Sequence, residues 1–392
     1  MTRRSSTLVI AHQDPPQFAQ EPVALPIVQS TTFYMDSAIE ASMAEGNYRG
    51  GWLYTRMDNP TLDTLARRVA SLHGAEAGLC TASGMGALSA ALFGLTQPGD
   101  VLIVDTQLYG VTDSLLDRYL VPAGRRVVRV PLATPGALEA ALEAHAPVAW
   151  VLAETVSNPL LQVLPVAAVA RACARAGARL LVDNTFANPL LCAPLALGAS
   201  LVVESLSKSM AGHSDVHGGA VVGSRADVDR AWDAMIHLGP CLDPHAAAMI
   251  WRGMKTLALR ASAAAANTRA LAERLRAHPR VTRVYQACPV QRPEVAETLR
   301  DTCPMVSFVV EGGDAAAERL LRSLSVVAPA TSLGGVESLV SLPMNTSHRT
   351  PQARERTGLL PGTLRLSVGC EDVEDLWVDI DTALRGEEAP AR

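Results

Sequence analysis

Lysine is nearly absent from this chain of 392 residues. Of the 34 Lys and Arg side chains only two are Lys, at positions 208 and 255, and the rest are Arg. Arg keeps its proton near neutral pH and cannot serve as an amine nucleophile, whereas Lys can lose its proton and act as a nucleophile. A Lys that persists against this bias is therefore a candidate for chemistry.

The chain also lacks a net positive charge, long apolar runs and CxxC pairs of cysteines. The net charge of −5 gives no electrostatic support for binding nucleic acid or an acidic membrane. No apolar run is long enough to span a bilayer, and the short N-terminal one is interrupted at His12, so we expect no signal peptide. Seven dispersed Cys without a CxxC pair indicate reduced thiols. We expect a cytoplasmic protein whose partners are small molecules.

Apolar residues are plentiful, at 48% of the chain, and their pattern predicts an α/β fold. Between residues 61 and 255, short all-apolar runs alternate with helical patterns, as in a parallel sheet that helices cover on both faces. Polar residues that end such strands mark the crevice where ligands bind. Residues 1–60, rich in Pro and Gly, are predicted to form an arm that contacts a neighbouring subunit. Residues 256–392 are predicted to form a smaller α+β domain.

Two side chains at predicted strand ends point to a specific chemistry. Lys208 follows an apolar run among hydroxyl residues, where desolvation lowers an amine pKa and favours a Schiff base with pyridoxal phosphate. Asp183 ends another apolar run and suits a protonated pyridine nitrogen. The alternatives are a surface Lys, which fits Lys255 better, and an Asp that caps a helix.

A phosphate site is the next hypothesis. Gly84 lies where a helix is predicted to begin, and helix N-terminal amides bind anions. Ser205 and Ser207 could donate hydroxyl hydrogen bonds to the same phosphate. Tyr54 and Arg56 precede another helix, and Arg56 could clamp a phosphate. A tight turn at Gly84 and a solvated Arg56 are the alternatives.

Nine segments together resemble the Cys/Met-metabolism enzymes that use pyridoxal phosphate: cystathionine γ-synthase, cystathionine γ-lyase, cystathionine β-lyase and methionine γ-lyase. The resemblance runs from about residue 20 to 385. It implies the PLP-dependent transferase fold (fold type I), with a mostly parallel seven-stranded sheet. The segments are 54–61, 83–85, 105–110, 154–159, 183–185, 205–208, 212–215, 332–338 and 365–369.

The resemblance also implies roles for particular residues. Lys208 would form the aldimine and shuttle protons, Asp183 would pair with the pyridine nitrogen, and Tyr109 would stack on the ring and assist proton transfer. The phosphate would be held by Gly84, Met85, Ser205 and Ser207, with Tyr54 and Arg56 from the neighbouring subunit. The substrate carboxylate would be bound by Arg365, Asn158 and Ser332. The family usually forms a homotetramer of two active dimers.

The implied reaction is cleavage or replacement of a C–S or C–O bond at Cγ or Cβ of an L-amino acid. Cystathionine, methionine and O-acylhomoserines are such substrates, and the path runs through a vinylglycine-type intermediate. The alternatives are a γ-replacement synthase of specialised metabolism, an aminotransferase and a non-catalytic protein on the same scaffold. A nicotinamide dehydrogenase is a further alternative, but the chain lacks GxGxxG after its first strand.

Four positions depart from the family pattern towards uncharged side chains: Leu53, Met57, Val111 and Thr331. In γ-lyases and γ-synthases a Glu often stands where this chain has Thr331. If these positions line the side-chain pocket, the preferred substrate is less polar at its distal end than cystathionine. The alternative is that they lie outside the pocket.

Overall fold

The computed structural model of the chain describes residues 23–345, 354, 355 and 357–386. Parts of two predicted segments therefore lie outside the described residues. These are 1–22 of the arm and 346–353, 356 and 387–392 of the C-terminal domain. The division of the chain at residues 60 and 255 stays a prediction.

The described part of the arm is held by its own backbone. An isolated bridge pairs Thr32 with Tyr54, so the segment folds back on itself. It contains one helix that the sequence did not predict, α1 (Ser37–Ala44). This helix begins where it does because the Asp36 carboxylate accepts hydrogen bonds from the amides of Ala38 and Ile39.

The first sheet has seven strands in the order β1-β7-β6-β5-β4-β2-β3. All neighbours are parallel except β7, which is antiparallel to both β1 and β6. The predicted mostly parallel seven-stranded sheet is thus confirmed. The strands are β1 (Ala77–Thr81), β2 (Val101–Asp105), β3 (Arg126–Val130), β4 (Trp150–Glu154), β5 (Arg179–Asp183), β6 (Leu201–Glu204) and β7 (Gly219–Gly223).

Helices cover both faces of this sheet, as the apolar strands predict. On β2, Leu102 and Val104 belong to one hydrophobic cluster and Ile103 to another, because successive strand residues face opposite sides. The helices are α2 (Pro60–His73), α3 (Gly84–Leu95), α4 (Gly110–Leu115), which continues as a π-helical turn (Leu116–Leu120), α5 (Ala137–Ala144), α6 (Val166–Arg175), α7 (Asn188–Leu191), α8 (Arg225–Leu238) and α9 (Pro244–Met254).

Local sequence explains where helix α2 begins and ends. The Asn59 side chain accepts a hydrogen bond from the Thr61 amide, with Pro60 in the first turn. Gly74 ends the helix in the left-handed conformation, with φ of 65°. Between these caps Leu65 and Val69 are completely buried. The predicted helix at 61–73 therefore forms almost as expected.

The second sheet has five strands in the order β10-β11-β12-β9-β8. All its pairs are antiparallel except β10 with β11. Its core centres on Phe308, which is 1% exposed. The elements are α10 (Leu257–Ala277), β8 (Val281–Gln286), a 3-10 turn (Pro293–Val295), β9 (Met305–Val310), α11 (Gly313–Ser323), β10 (Ala328–Pro329), β11 (Leu339–Ser341), a second 3-10 turn (Pro343–Asn345), β12 (Thr363–Ser367) and α12 (Val373–Arg385).

The two sheets bring their polar residues to one place. Asp105, Glu154 and Asp183 end β2, β4 and β5, and the turn with Lys208 follows β6. Arg365 lies on β12 of the second sheet. Of the helices that the structure describes, none combines the length and the apolar character needed to cross a membrane.

Replacement of Phe308 by Ala should strongly destabilise the second sheet. Removing a large buried aromatic side chain leaves a cavity and costs about 3–5 kcal/mol. Urea unfolding of the purified enzyme measures the change. Val378→Ala is the matched control, since Val378 is 61% exposed and should shift stability little. Equal effects of the two substitutions would contradict the assigned core.

Candidate active site

A cleft of about 830 Å³ lies between the ends of the first sheet's strands and the second sheet. That volume is within the range of small-molecule and cofactor pockets. Ten of the twelve predicted site residues line it. They are Gly84, Met85, Tyr109, Asn158, Asp183, Ser205, Ser207, Lys208, Ser332 and Arg365.

Lys208 presents its amine to the cleft from the turn after β6. Its Nζ donates a hydrogen bond of 2.9 Å to Ser332 Oγ. Burial lowers the pKa of Lys208, and the nearby positive charge of Arg365 lowers it further. An amine with a lowered pKa loses its proton more readily, so it can act as a nucleophile or a base.

Asp183 is held at the end of β5 by the residue two positions later. Its Oδ1 accepts hydrogen bonds from the Thr185 amide at 3.0 Å and the Thr185 hydroxyl at 2.6 Å. Burial raises the pKa of Asp183, and these hydrogen bonds only partly oppose the rise. Among the described residues no donor reaches Oδ2, so the carboxylate can still accept a hydrogen bond from a cationic ligand group.

The N-terminus of α3 forms an anion cradle beside Lys208. The Ser83 hydroxyl caps the helix by accepting from the Gly86 amide at 3.0 Å. The amides of Gly84 and Met85 lie in the first turn of the helix, where an amide has no hydrogen-bond acceptor within the helix. A Cβ at Gly84 would lie 2.7 Å from the Cβ of Ser205, so only glycine permits this close approach. The cradle fits the phosphate of pyridoxal phosphate.

The two predicted serines differ in what their hydroxyls contact. Ser207 Oγ already exchanges hydrogen bonds with Gly218, donating to the carbonyl at 3.2 Å and accepting from the amide at 2.9 Å. The Ser205 amide donates to Thr185 Oγ1 at 2.9 Å, while no described partner binds the Ser205 hydroxyl. Ser205 is therefore the freer of the two donors for an anion.

Arg365 forms the opposite wall of the cleft. Its Nη1 donates to Asn158 Oδ1 at 3.0 Å and its Nη2 to the Ser332 carbonyl at 2.9 Å. Its Nε is buried and has no partner among the described residues. Burial lowers the pKa of Arg365 to about 10. An oriented guanidinium with an unused donor is suited to binding a carboxylate.

Glu154 is a cleft residue to which the sequence analysis assigned no role. Its Oε1 accepts a hydrogen bond from the Tyr109 amide at 2.5 Å, and it is paired in register with Asp183 on the neighbouring strand. Burial, together with the negative charges of Asp183 and Asp105, raises its pKa well above the usual range. The signal was present, because Glu154 ends an apolar strand as Asp183 does.

Tyr54 and Arg56 do not line the cleft of their own chain. Arg56 lies over the Tyr54 ring at 5.8 Å and donates to the carbonyl of Ile236 at 2.7 Å. Both side chains are exposed. Leu53 and Met57 also lie outside the cleft, and Met57 packs against a hydrophobic cluster of the first sheet.

The other two uncharged departures do line the cleft. Val111 is 47% exposed and Thr331 is also exposed. The lining residues that the sequence did not predict as site residues are Ser83, Gly110, Glu154, Val156, Thr185, Phe186, His217 and Leu333.

Comparison with known proteins shows the family of the chain. The family model described as Cys/Met metabolism PLP-dependent enzyme matches residues 6–385. L-methionine gamma-lyase of Pseudomonas putida is 37% identical over 387 residues, which cover 97% of each chain. Cystathionine gamma-synthase of Mycobacterium bovis is 36% identical, with 94% of each chain covered. A crystal structure of cystathionine gamma synthase from Xanthomonas oryzae pv. oryzae in complex with cystathionine has a TM-score of 0.88 and 36% identity, covering 94% of this chain and 95% of that one. The chain therefore belongs to the Cys/Met-metabolism family of PLP-dependent enzymes.

Proposed function

We propose that this PLP-dependent enzyme acts at Cγ of an L-amino acid whose side chain ends in an uncharged group. Its class is that of the transsulfuration lyases and synthases, which cleave or replace C–S or C–O bonds at Cγ or Cβ. Within that class we favour elimination from a thioether such as methionine. A homoserine ester is the second substrate type that an uncharged pocket accepts.

One observation carries the substrate preference. The carboxyl groups of the cleft are Glu154 and Asp183, and its basic side chains include Lys208 and Arg365. Glu154 accepts a hydrogen bond from the Tyr109 amide and we assign Asp183 to the pyridine nitrogen, so no carboxylate is left to pair with a distal ammonium. The remaining wall includes Val111 and Thr331. An ammonium or carboxylate placed beside these two side chains would gain no ionic partner.

We assign each chemical step to a residue that lines the cleft. Pyridoxal phosphate, when bound, stabilises negative charge that develops at the substrate Cα. Arg365 binds the substrate carboxylate through its unused Nε, with Asn158 and Ser332 orienting the guanidinium. Lys208, with its lowered pKa, removes the Cα proton and returns it elsewhere on the substrate. Tyr109 assists this transfer from its exposed position at the cleft edge.

The cofactor contacts follow from the same geometry. Asp183 would keep the pyridine nitrogen protonated through its free Oδ2. The phosphate would be held by the amides of Gly84 and Met85 and by the Ser205 hydroxyl, and the Ser207 hydroxyl would join them by giving up its hydrogen bond to the Gly218 carbonyl. The exposure of Tyr54 and Arg56, away from their own cleft, supports their reaching the phosphate of a neighbouring subunit. We propose an active dimer on this basis, and a homotetramer of two such dimers.

The proposal extends to the organisation of the chain. The arm at 1–60 contacts the neighbouring subunit, 61–255 binds the cofactor and 256–392 closes the cleft. We propose a cytoplasmic location, since the seven cysteines are all unpaired and five of them are buried. Gel filtration with multi-angle light scattering tests the oligomeric state directly.

Covalent attachment of the cofactor should map to Lys208. Borohydride reduction of the yellow enzyme fixes the cofactor to its amine, and peptide mass spectrometry locates it. We expect the label on the peptide that contains Lys208 and none on Lys255. Lys208→Ala should abolish both label and turnover, whereas Lys255→Ala should keep both. Labelled Lys255 with unlabelled Lys208 would overturn the proposed site.

The distal pocket should respond to an introduced carboxylate. Thr331→Glu should raise kcat/KM for cystathionine relative to methionine by about tenfold, equivalent to about 1.4 kcal/mol, because a new ion pair would hold the distal ammonium. Thr331→Gln is the uncharged control and should leave the ratio unchanged. Mass spectrometry of products, with and without an added thiol, separates elimination from replacement. The proposal fails if the unaltered enzyme already prefers cystathionine.

Glu154 should tolerate replacement by Gln but not by Ala. The raised pKa favours the neutral carboxyl, which Gln resembles, so Glu154→Gln should keep the acceptor for the Tyr109 amide and change kcat less than about threefold. Glu154→Ala leaves a polar amide unpaired, at about 1–3 kcal/mol, and should lower kcat about tenfold or more.

The pH dependence of unfolding checks the same carboxyl. A raised folded-state pKa means that the folded protein loses stability as pH rises through that pKa. Thermal melting from about pH 4.5 upwards should therefore show a smaller decline for Glu154→Gln than for the unaltered enzyme. Identical profiles, or a large kcat loss in Glu154→Gln, would show that the side chain works as an anion.

A further inference from the structure

The first turn of α10 carries a buried guanidinium that pairs with no carboxylate among the described residues. Arg260 is 8% exposed and lies outside the cleft. Its Nε donates to Thr256 Oγ1 at 3.0 Å. Burial lowers its pKa, and no described ion pair includes it. Burying a charge that has no ionic partner costs free energy, which indicates that the hydrogen bonds of Arg260 have a function.

Most of these hydrogen bonds go to the turn that carries Lys208. Nη1 donates to the Ser209 carbonyl at 2.8 Å, and Nη2 donates to the Met210 carbonyl at 3.3 Å. These are the first two residues after Lys208. Nη2 also donates to the carbonyl of Gly253 at 2.9 Å, which ties the turn to the end of α9. The planar guanidinium thus fixes three backbone acceptors at once.

Two glycines show how closely the turn is packed. Gly212, with φ of 72°, closes the turn by donating its amide to the Lys208 carbonyl at 2.8 Å. A Cβ at Gly212 would overlap the Arg260 guanidinium. On the other side, a Cβ at Gly334 would lie 2.6 Å from the Ser209 nitrogen. The turn is therefore confined between α10 and the segment around Gly334.

That segment also sets the partner of the Lys208 amine. It contains Ser332, whose hydroxyl accepts from Lys208 Nζ and whose carbonyl accepts from Arg365. The Val336 amide donates to the Gly212 carbonyl at 3.1 Å. Arg260 consequently fixes the backbone of the lysine turn against the same segment that orients the predicted carboxylate-binding side chain.

We propose that Arg260 is a positioning residue that holds the turn after Lys208, so that the amine keeps its place between Ser332 and the cofactor. Without the guanidinium, the buried carbonyls of Ser209 and Met210 lose their donor, whereas the Gly253 carbonyl keeps the Thr256 amide, so the turn shifts to find other donors. The amine then moves relative to the substrate Cα, and a displacement of about 1 Å can cost about 10²-fold in rate. This inference rests on the proposed role of Lys208.

Two variants at this position separate shape from charge. Arg260→Lys keeps the charge but loses the planar fork, and Arg260→Met keeps volume but loses both. We expect kcat to fall about tenfold in Arg260→Lys and about 10²-fold in Arg260→Met, with KM within about threefold of the parent. Arg269→Met, at the half-buried Arg of the same helix that pairs with Asp301, is the matched control.

A readout independent of turnover completes the experiment. The rate of borohydride trapping and the visible absorbance band report directly on the link between the cofactor and the lysine. We expect slower trapping and a shifted band in both Arg260 variants, and parental behaviour in Arg269→Met. A lowered melting temperature with parental trapping, band and kcat would assign Arg260 a purely structural role and overturn the inference. If Arg260→Met does not fold, Arg260→Lys decides by the same criteria.

The trapped peptide distinguishes the two levels of proposal. A label on Lys208 with unaltered kinetics in the Arg260 variants would refute the positioning role and leave the proposed function intact. A label elsewhere in the unaltered enzyme would refute the proposed function itself, whatever the Arg260 variants do.

Discussion

This cleft depends on one physical constraint. Its charged groups are removed from water, and they have fewer hydrogen-bond partners than they can bind. Within the part of the chain that the structure describes, the buried Nε of Arg365 has no partner, and Asp183 accepts hydrogen bonds on only one carboxylate oxygen. Such groups carry a desolvation cost, because their protein partners replace only part of the hydrogen bonding that they have in water. A ligand with a carboxylate, a cationic ring nitrogen and a phosphate supplies what they lack. Preorganised polar groups of this kind favour binding and catalysis without reorganisation during the reaction.

The rest of the fold supplies the rigidity that keeps these groups in place. Parallel strands end at one edge, so Glu154 and Asp183 lie side by side in register, and each is fixed by its backbone. The second sheet places Arg365 between two antiparallel neighbours, opposite Ser307 and Ser341. Neither sheet alone forms the cleft. The hydrogen bonds of Arg365 to Asn158 and Ser332 join residues far apart in the chain and close it.

Much of this arrangement could be predicted from sequence, because its signals are local. The apolar run at 101–105 forms β2 without adjustment, and the polar residues that end such runs line the cleft. Strand β7 (Gly219–Gly223) was missed because two glycines obscure its pattern, although it is completely buried in the sheet. Helix α1 was missed because its sequence has little apolar periodicity, and it depends on the Asp36 cap.

Contacts between distant residues were beyond prediction for a different reason. No local pattern reveals that Glu154 accepts from the amide of Tyr109, 45 positions earlier, or that Arg260 reaches back to Ser209. The use of Arg at some positions and of Lys at another nevertheless follows from the chemistry of the two side chains. Arg is found where several acceptors must be held in a plane, as at positions 260 and 365, and its proton is not lost there. The role that we propose for Lys208 requires an amine able to release its proton, which accounts for a Lys at this position in a chain with almost no other lysine.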